Sequence, residues 1–243
     1  MTDTATSGEQ KFRAIDSSLM MKVFYAFAVL AILSIGISVA GRHFGHAIAM
    51  AGNTDDPTPR EIVIGNNVIA APANTIRFEQ ARRAGITARL DLYFRWPDMA
   101  GYSEAARPDF NHAGGSRTII FAAFEPRMMS RDMSGRFAPI YSSMIVQPGT
   151  PGPGGVTLHA FTEKSGYLNE MLAVAGEPGA EPFVARCLTG PTARESLAPC
   201  ERDIHVGNEL SLSYRFPLEL LGDWKRLDAA MRAKAAQLLR TEG

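Results

Sequence analysis

The chain has 243 residues and carries 25 Lys or Arg against 25 Asp or Glu. The first 42 residues hold four of the basic residues (Lys11, Arg13, Lys22, Arg42) and three of the acidic ones (Asp3, Glu9, Asp16), so the remainder has 21 basic and 22 acidic residues and a formal charge of −1. A body this close to neutral has no basic field with which to hold a nucleic-acid backbone or an anionic membrane surface, and nucleic-acid binding is excluded on that ground.

Residues 1–18 are polar with mixed charge and read as a disordered cytoplasmic tail. Residues 19–42 read as a transmembrane signal-anchor helix. Within them Val23–Gly41 is a run of 19 residues without a charge. At about 1.5 Å per residue it reaches roughly 28 Å, close to the roughly 30 Å of bilayer hydrocarbon. Lys22 and Arg42 bracket the run and can extend their charged ends to the interface. Lys11, Arg13 and Lys22 precede it, and Arg42 alone follows it before Arg60, a bias that puts the N-terminus in the cytoplasm and the bulk of the chain outside. The competing reading is a signal peptide cleaved after Ala40, because Ser38-Val39-Ala40 satisfies the small-x-small rule; against it, the apolar core exceeds the roughly 7–15 residues usual for such a peptide. Either reading sends the rest of the chain to the same compartment. Ala31, Ser34, Ser38 and the pair Gly36/Ala40 would let two such helices approach closely, although small residues are common in membrane helices generally.

Residues 43–59 form a linker. Its first half can continue the helix for a turn or two, and Asp55-Asp-Pro-Thr-Pro59 then breaks it. His43 and His46 could share a helix face, but two imidazoles make a weak metal site, and polar residues at a membrane interface are the plainer reading.

Residues 60–243 read as a β-rich domain, large enough to bury its own core. Residues 61–64 and 67–71 flank Gly65-Asn66, a two-residue hairpin signal. Over 89–96, Leu90, Leu92, Phe94 and Trp96 alternate with Arg89, Asp91, Tyr93 and Arg95, the period-2 pattern of a half-buried strand. Residues 118–124 (TIIFAAF) suit a strand buried on both faces, and 137–146 an edge strand because of Pro139. The breaker cluster 148–155 (PGTPGPGG) lacks the amide donors and the following Lys of a phosphate loop, and reads as a surface loop. Shorter strands follow at 156–163, 172–174 and 183–188. Residues 201–206 and 209–216 flank Gly207-Asn208, a second two-residue hairpin signal, with Leu210, Leu212, Tyr214 and Phe216 on one face and Ser211, Ser213 and Arg215 on the other. The period then changes: Leu220, Leu221, Trp224, Leu227, Met231, Ala235, Leu238 and Leu239 follow helical spacing, so a helix is expected over 218–240. It could lie on a membrane surface, but such a stripe more often packs on a sheet. The expected fold is mainly β: an antiparallel β-sandwich or open barrel with a C-terminal α-helix, preceded by one transmembrane helix.

Cys187 and Cys200 are the only cysteines, and both fall in the part expected outside the cytoplasm, where oxidation is favoured. A bridge would close the flexible loop 188–199, with a chain-entropy contribution of roughly 3 kcal/mol. The spacing is unlike the C-x-x-C of redox dithiols.

Catalytic motifs are missing: there is no G-x-S-x-G, no H-E-x-x-H and no P-loop. His112, His159 and His205 could meet in three dimensions, and sequence does not show whether they do. The charged clusters 127–136 and 201–203 mix signs, which more often means ion pairs or ordered turns than an acid–base pair. No metal and no cofactor is expected.

Five segments form a set: 89–97 (RLDLYFRWP), 132–137 (DMSGRF), 186–188 (RCL), 200–204 (CERDI) and 214–217 (YRFP). Together they resemble a family of bacterial single-pass, membrane-anchored envelope proteins without an assigned activity. The resemblance spans most of the outer domain. The orientation read from the flanking charges makes the anchor an inner-membrane one and the domain periplasmic; the resemblance brings no catalytic residue.

Two functional expectations compete. One is a non-enzymatic interaction or scaffold protein, its partners being membrane lipid, an envelope protein, or a second copy through the anchor. The other is an envelope enzyme or a binder of a small ligand, glycan or lipid, with Tyr93, Trp96 and Tyr141 lining a groove; such aromatics are more often core or sheet-face residues.

Overall fold

The computed structural model describes residues 17–50, 52–176 and 181–240, and side chains in the first helix only through Val39. The chain divides into two units, Met1–Ala51 and Gly52–Gly243. The first contains helix α1, Ser17–Met50. Its segment Met20–Val39 is long and apolar enough to cross a membrane, Lys22 being its single charge, and a signal sequence would meet the same criterion. The helix continues two turns past residue 42, as the linker's composition allows, and ends before Asn53. The tail expected over 1–18 lies outside the described residues but for Ser17 and Ser18, and so do the side chains of His43 and His46.

The second unit is built on two sheets. Strands β1 (Pro59–Ile64) and β2 (Asn67–Pro72) form the first hairpin, and β3 (Gly85–Ile86) lies parallel to β1. Gly65 takes a φ of +58° at the turn, which a side chain would resist, and Ile64 pairs directly with Asn67 across the two intervening residues. The larger sheet contains β4 (Leu90–Arg95), β5 (Ile119–Pro126), β6 (Thr150–Pro151), β7 (Thr157–Ala160), β8 (Glu170–Ala175), β9 (Phe183–Leu188), β10 (Cys200–Val206) and β11 (Leu210–Phe216). Its order is β4-β5-β11-β10-β9-β8-β7-β6, antiparallel throughout. Two short helices, α2 (Arg107–Phe110) and α3 (Gly190–Glu195), sit in connections, and α4 (Trp224–Leu238) follows a 3₁₀ segment at the C-terminal end.

The main core joins both sheets and α4. Ile62, Ile64 and Ile69 of the small sheet, Leu90, Leu92 and Phe94 of β4, Leu212 of β11, and Leu227, Met231, Ala235 and Leu238 of α4 are buried in one cluster. The α4 residues recur at helical spacing, so its apolar stripe is spent on the sheets rather than on a membrane surface. Asn67 is 1% exposed and ties the two hairpin turns together: its Nδ2 donates to the Asn208 carbonyl (2.7 Å), and its Oδ1 accepts from the Asn208 amide (2.8 Å).

Cys187 and Cys200 are bonded to each other across β9 and β10, directly opposite in register and fully buried in the main core. The loop they close contains helix α3 instead of being irregular throughout.

Three expectations require correction. Residues 137–146 form no strand: the amides of Ile140, Tyr141 and Ser142 bond back to Arg136 and Phe137, so the backbone is satisfied locally and only Ile145 makes a single bridge, to Phe161. The second hairpin turn has three residues, not two, because Val206 pairs with Leu210 and Glu209 adopts a φ of +52°. The proline-glycine loop 148–155 contributes β6 at the sheet edge.

Candidate functional site

The larger sheet has a second face, turned away from α4. Alternation along each strand places on it Asp91 and Tyr93, Phe121, Ala123 and Glu125, Ser211, Ser213 and Arg215, Glu201 and Asp203, and Val184 and Arg186. Two chain segments cover its ends. Over β4, the connection around α2 packs Phe110 edge-on against Tyr93 and Tyr102, with ring centroids 4.8 and 5.4 Å apart. Over β8 and β9, residues 133–145 lay Met133, Tyr141 and Ile145 onto Leu172 and Val184 in a second, smaller core.

Between the two covers lies a trough of about 330 Å³, floored by Phe121, Ala123 and Ser213 and walled by Arg77, Arg89, Asp91, Glu125, Glu201 and Arg215. Its carboxylates are all engaged. Arg89 donates to Asp91 (3.0 Å) and to Glu125 (2.7 Å), and Arg186 donates to Glu201 (3.1 Å) while lying 3.4 Å from Glu170 and over the Tyr167 ring. Burial works against the charge of Arg186, but the carboxylates of Glu170 and Glu201 outweigh it and raise its pKa.

Two guanidiniums on the trough are different. Arg77 stacks over Phe121 at 4.8 Å and over Phe78 at 5.1 Å, and Arg215 sits exposed on β11 directly opposite Phe121 in register. Neither makes an ion pair among the described residues. The half-buried Phe121 ring is thus flanked by two arginines free to take an anion.

The residues singled out from the sequence are placed elsewhere. Tyr93 and Tyr141 are each 3% exposed and sealed beneath the covers, where burial pushes both phenols up, and Trp96 is half-buried against the main core under Arg226. None of the three lines the trough. His112 bonds the Ser116 carbonyl and His159 the Val146 carbonyl, so neither ring bonds the other. Among the described residues no group of three or more His, Cys, Asp and Glu could hold a metal ion. The two charged clusters resolve into ion pairs: Arg127 with Glu209, Arg136 with Asp203, Glu201 with Arg186. Arg202 points the opposite way from its neighbours, into the main core. It is 2% exposed and donates to Asp228 (2.9 Å), Ser134 Oγ (3.0 Å) and the Val184 carbonyl (2.9 Å). Tyr214 donates to the same Asp228 carboxylate, as does Arg232. Burial alone would lift Asp228, but Arg202 and Arg232 hold its carboxyl below the usual range. Burial raises Asp203, against the opposing pull of Arg136.

Sequence reasoning missed Arg77 and Phe121 as site residues. Arg215 and Ser213 were legible as a polar strand face. Arg77 was not, because it comes from a connection before β4 that only the fold brings over β5.

No family model matches the sequence, and no curated protein matches it. Two solved structures are similar to the chain. An immunity protein of the Stenotrophomonas maltophilia type IV secretion system is 17% identical, with a TM-score of 0.49 over 76% of this chain and 94% of that one. The Neisseria meningitidis iron-regulated outer membrane lipoprotein is 9% identical, with a TM-score of 0.41 over 76% of this chain and 98% of that one.

Proposed function

We propose that the chain is a membrane-tethered interaction protein of the bacterial envelope. Helix α1 anchors it in the inner membrane with the N-terminus cytoplasmic, and the β domain acts in the periplasm by binding a partner without transforming it. The observation that carries this reading is the electrostatic state of the trough. Asp91, Glu125 and Glu201 are each paired with an arginine, whereas Arg77 and Arg215 have no ion-pair partner among the described residues and can take an anion from a partner. The buried disulfide suits an oxidising compartment, and Met20–Val39 suits an anchor.

The test has two arms. A reporter that is active only outside the cytosol, fused after Gly243, is expected to be active. Activity only of a cytosolic reporter would overturn the compartment. Chemical cross-linking in intact membranes is expected to shift the chain into a discrete larger species, and a chain that stays monomeric while other complexes are captured would overturn the binding role.

A further inference from the structure

We propose that the trough is a binding site for an acidic peptide segment of a partner protein, with Arg77 and Arg215 taking its carboxylates and Phe121 its apolar atoms. The inference deepens the binding role proposed above and rests on it only for its biological setting. A guanidinium that lies over an aromatic face without a carboxylate partner keeps its N–H groups for an incoming acceptor, and Arg77 lies over Phe121 with no ion pair among the described residues. Arg215 lies across the ladder from that same ring and is exposed. Both therefore neighbour one apolar contact and can each take a carboxylate beside it.

The rest of the trough selects among anions. Asp91, Glu125 and Glu201 share it with Arg77, Arg89 and Arg215, three charges of each sign, so its lining is charge-balanced. A polyphosphate or nucleic-acid backbone, with a charge at every repeat, would set some of its phosphates against those carboxylates. A peptide can present one or two carboxylates at chosen spacing and neutral or apolar groups elsewhere. Its amides and any basic side chain find acceptors in the same carboxylates. The floor is a mixed surface of Phe121, Ala123 and Ser213, which suits a side chain better than a bare inorganic ion.

The experiment uses the full chain in detergent micelles and a fluorescently labelled hexapeptide with two glutamates separated by alanine and leucine residues, read by anisotropy. Saturable binding is expected that weakens about tenfold or more in Arg77→Ala and in Arg215→Ala. Arg226→Ala, which removes an exposed arginine of α4, is expected to bind as the parent does. Arg77→Gln and Arg215→Gln, with thermal unfolding checked for each variant, guard against a folding artefact. Absence of saturable binding, an equal loss in Arg226→Ala, or displacement of the peptide by an equal concentration of inorganic phosphate would each overturn the proposal. Peptide binding that needs both arginines, alongside a chain that never cross-links in membranes, would uphold the site and sink the envelope role. Membrane cross-links unaffected by the two substitutions would do the reverse.

Discussion

On the inner face of the larger sheet, Leu90, Leu92, Phe124, Leu212 and Ile204 are sealed under α4 and the small sheet, and one arginine, Arg202, is buried among them and donates from Nε and Nη1 to three acceptors. On the outer face the same strands carry charge. There the two covers leave the middle open, and arginines are paired in part and free in part. The contrast separates stability from recognition. A buried arginine without partners would carry a desolvation penalty of several kcal/mol, so Arg202 needs its carboxylate and carbonyl acceptors; an exposed one can stand unpaired at little cost. The inner-face polar network reads as architecture and the outer-face one as a site.

The largest expected effect comes from breaking the inner network. Arg202→Ala leaves Asp228 half-buried with one cation fewer and should lower unfolding free energy by roughly 3–5 kcal/mol, measured by denaturant titration. The pH dependence follows from the same group. Asp228 is depressed in the folded state, so in acid the unfolded chain binds more protons; its contribution is present above the ordinary carboxylate range and is lost as pH falls through the folded value. Asp203 is raised, so it works in the opposite sense, and stability falls as pH rises from the ordinary to the folded value. Asp228→Asn should flatten the acid limb of a stability profile, and Asp203→Asn should not.

Replacing both Cys187 and Cys200 by Ala should cost about 3 kcal/mol by the chain-entropy estimate, read in the same titration. Next comes Asn67→Ala, which strands the backbone groups of Asn208 at the junction of two turns and should cost roughly 1–3 kcal/mol. Smallest of all, Arg215→Ala on the outer face should change stability by no more than about 0.5 kcal/mol. Destabilisation comparable to that of Arg202→Ala would erase the distinction between the faces.

Much of the inner face was legible in the sequence. Strict alternation in Leu90–Phe94 and Leu210–Phe216 and helical spacing in Leu227–Leu238 report burial directly, because each depends on a single local period. Cysteine count and the compartment expected from the sequence pointed to the disulfide. The outer face was only half legible. Its residues appear as the polar members of alternating strands, yet which of them stay open depends on covers contributed by α2 and by residues 133–145, and neither has a period of its own. Segment 137–146 shows the difficulty. Its apolar content suggested a strand, but its hydrophobic residues serve to cap β8 and β9 while its backbone turns on itself. Tyr93 and Tyr141 carry the same lesson, since aromatic side chains that looked available for a groove instead hold the covers down. Arg77 could not have been paired with Phe121 at all without the fold.

The most direct test is site-specific photo-cross-linking of the full chain in intact cells, with the reactive side chain placed in turn at Ser213 on the trough floor and at Ala229 on the exposed side of α4. A discrete heavier adduct is expected from position 213, lost with Arg77→Ala or Arg215→Ala, and none from position 229. Equal adducts from both positions, or an adduct from 229 alone, would contradict the binding role of the trough.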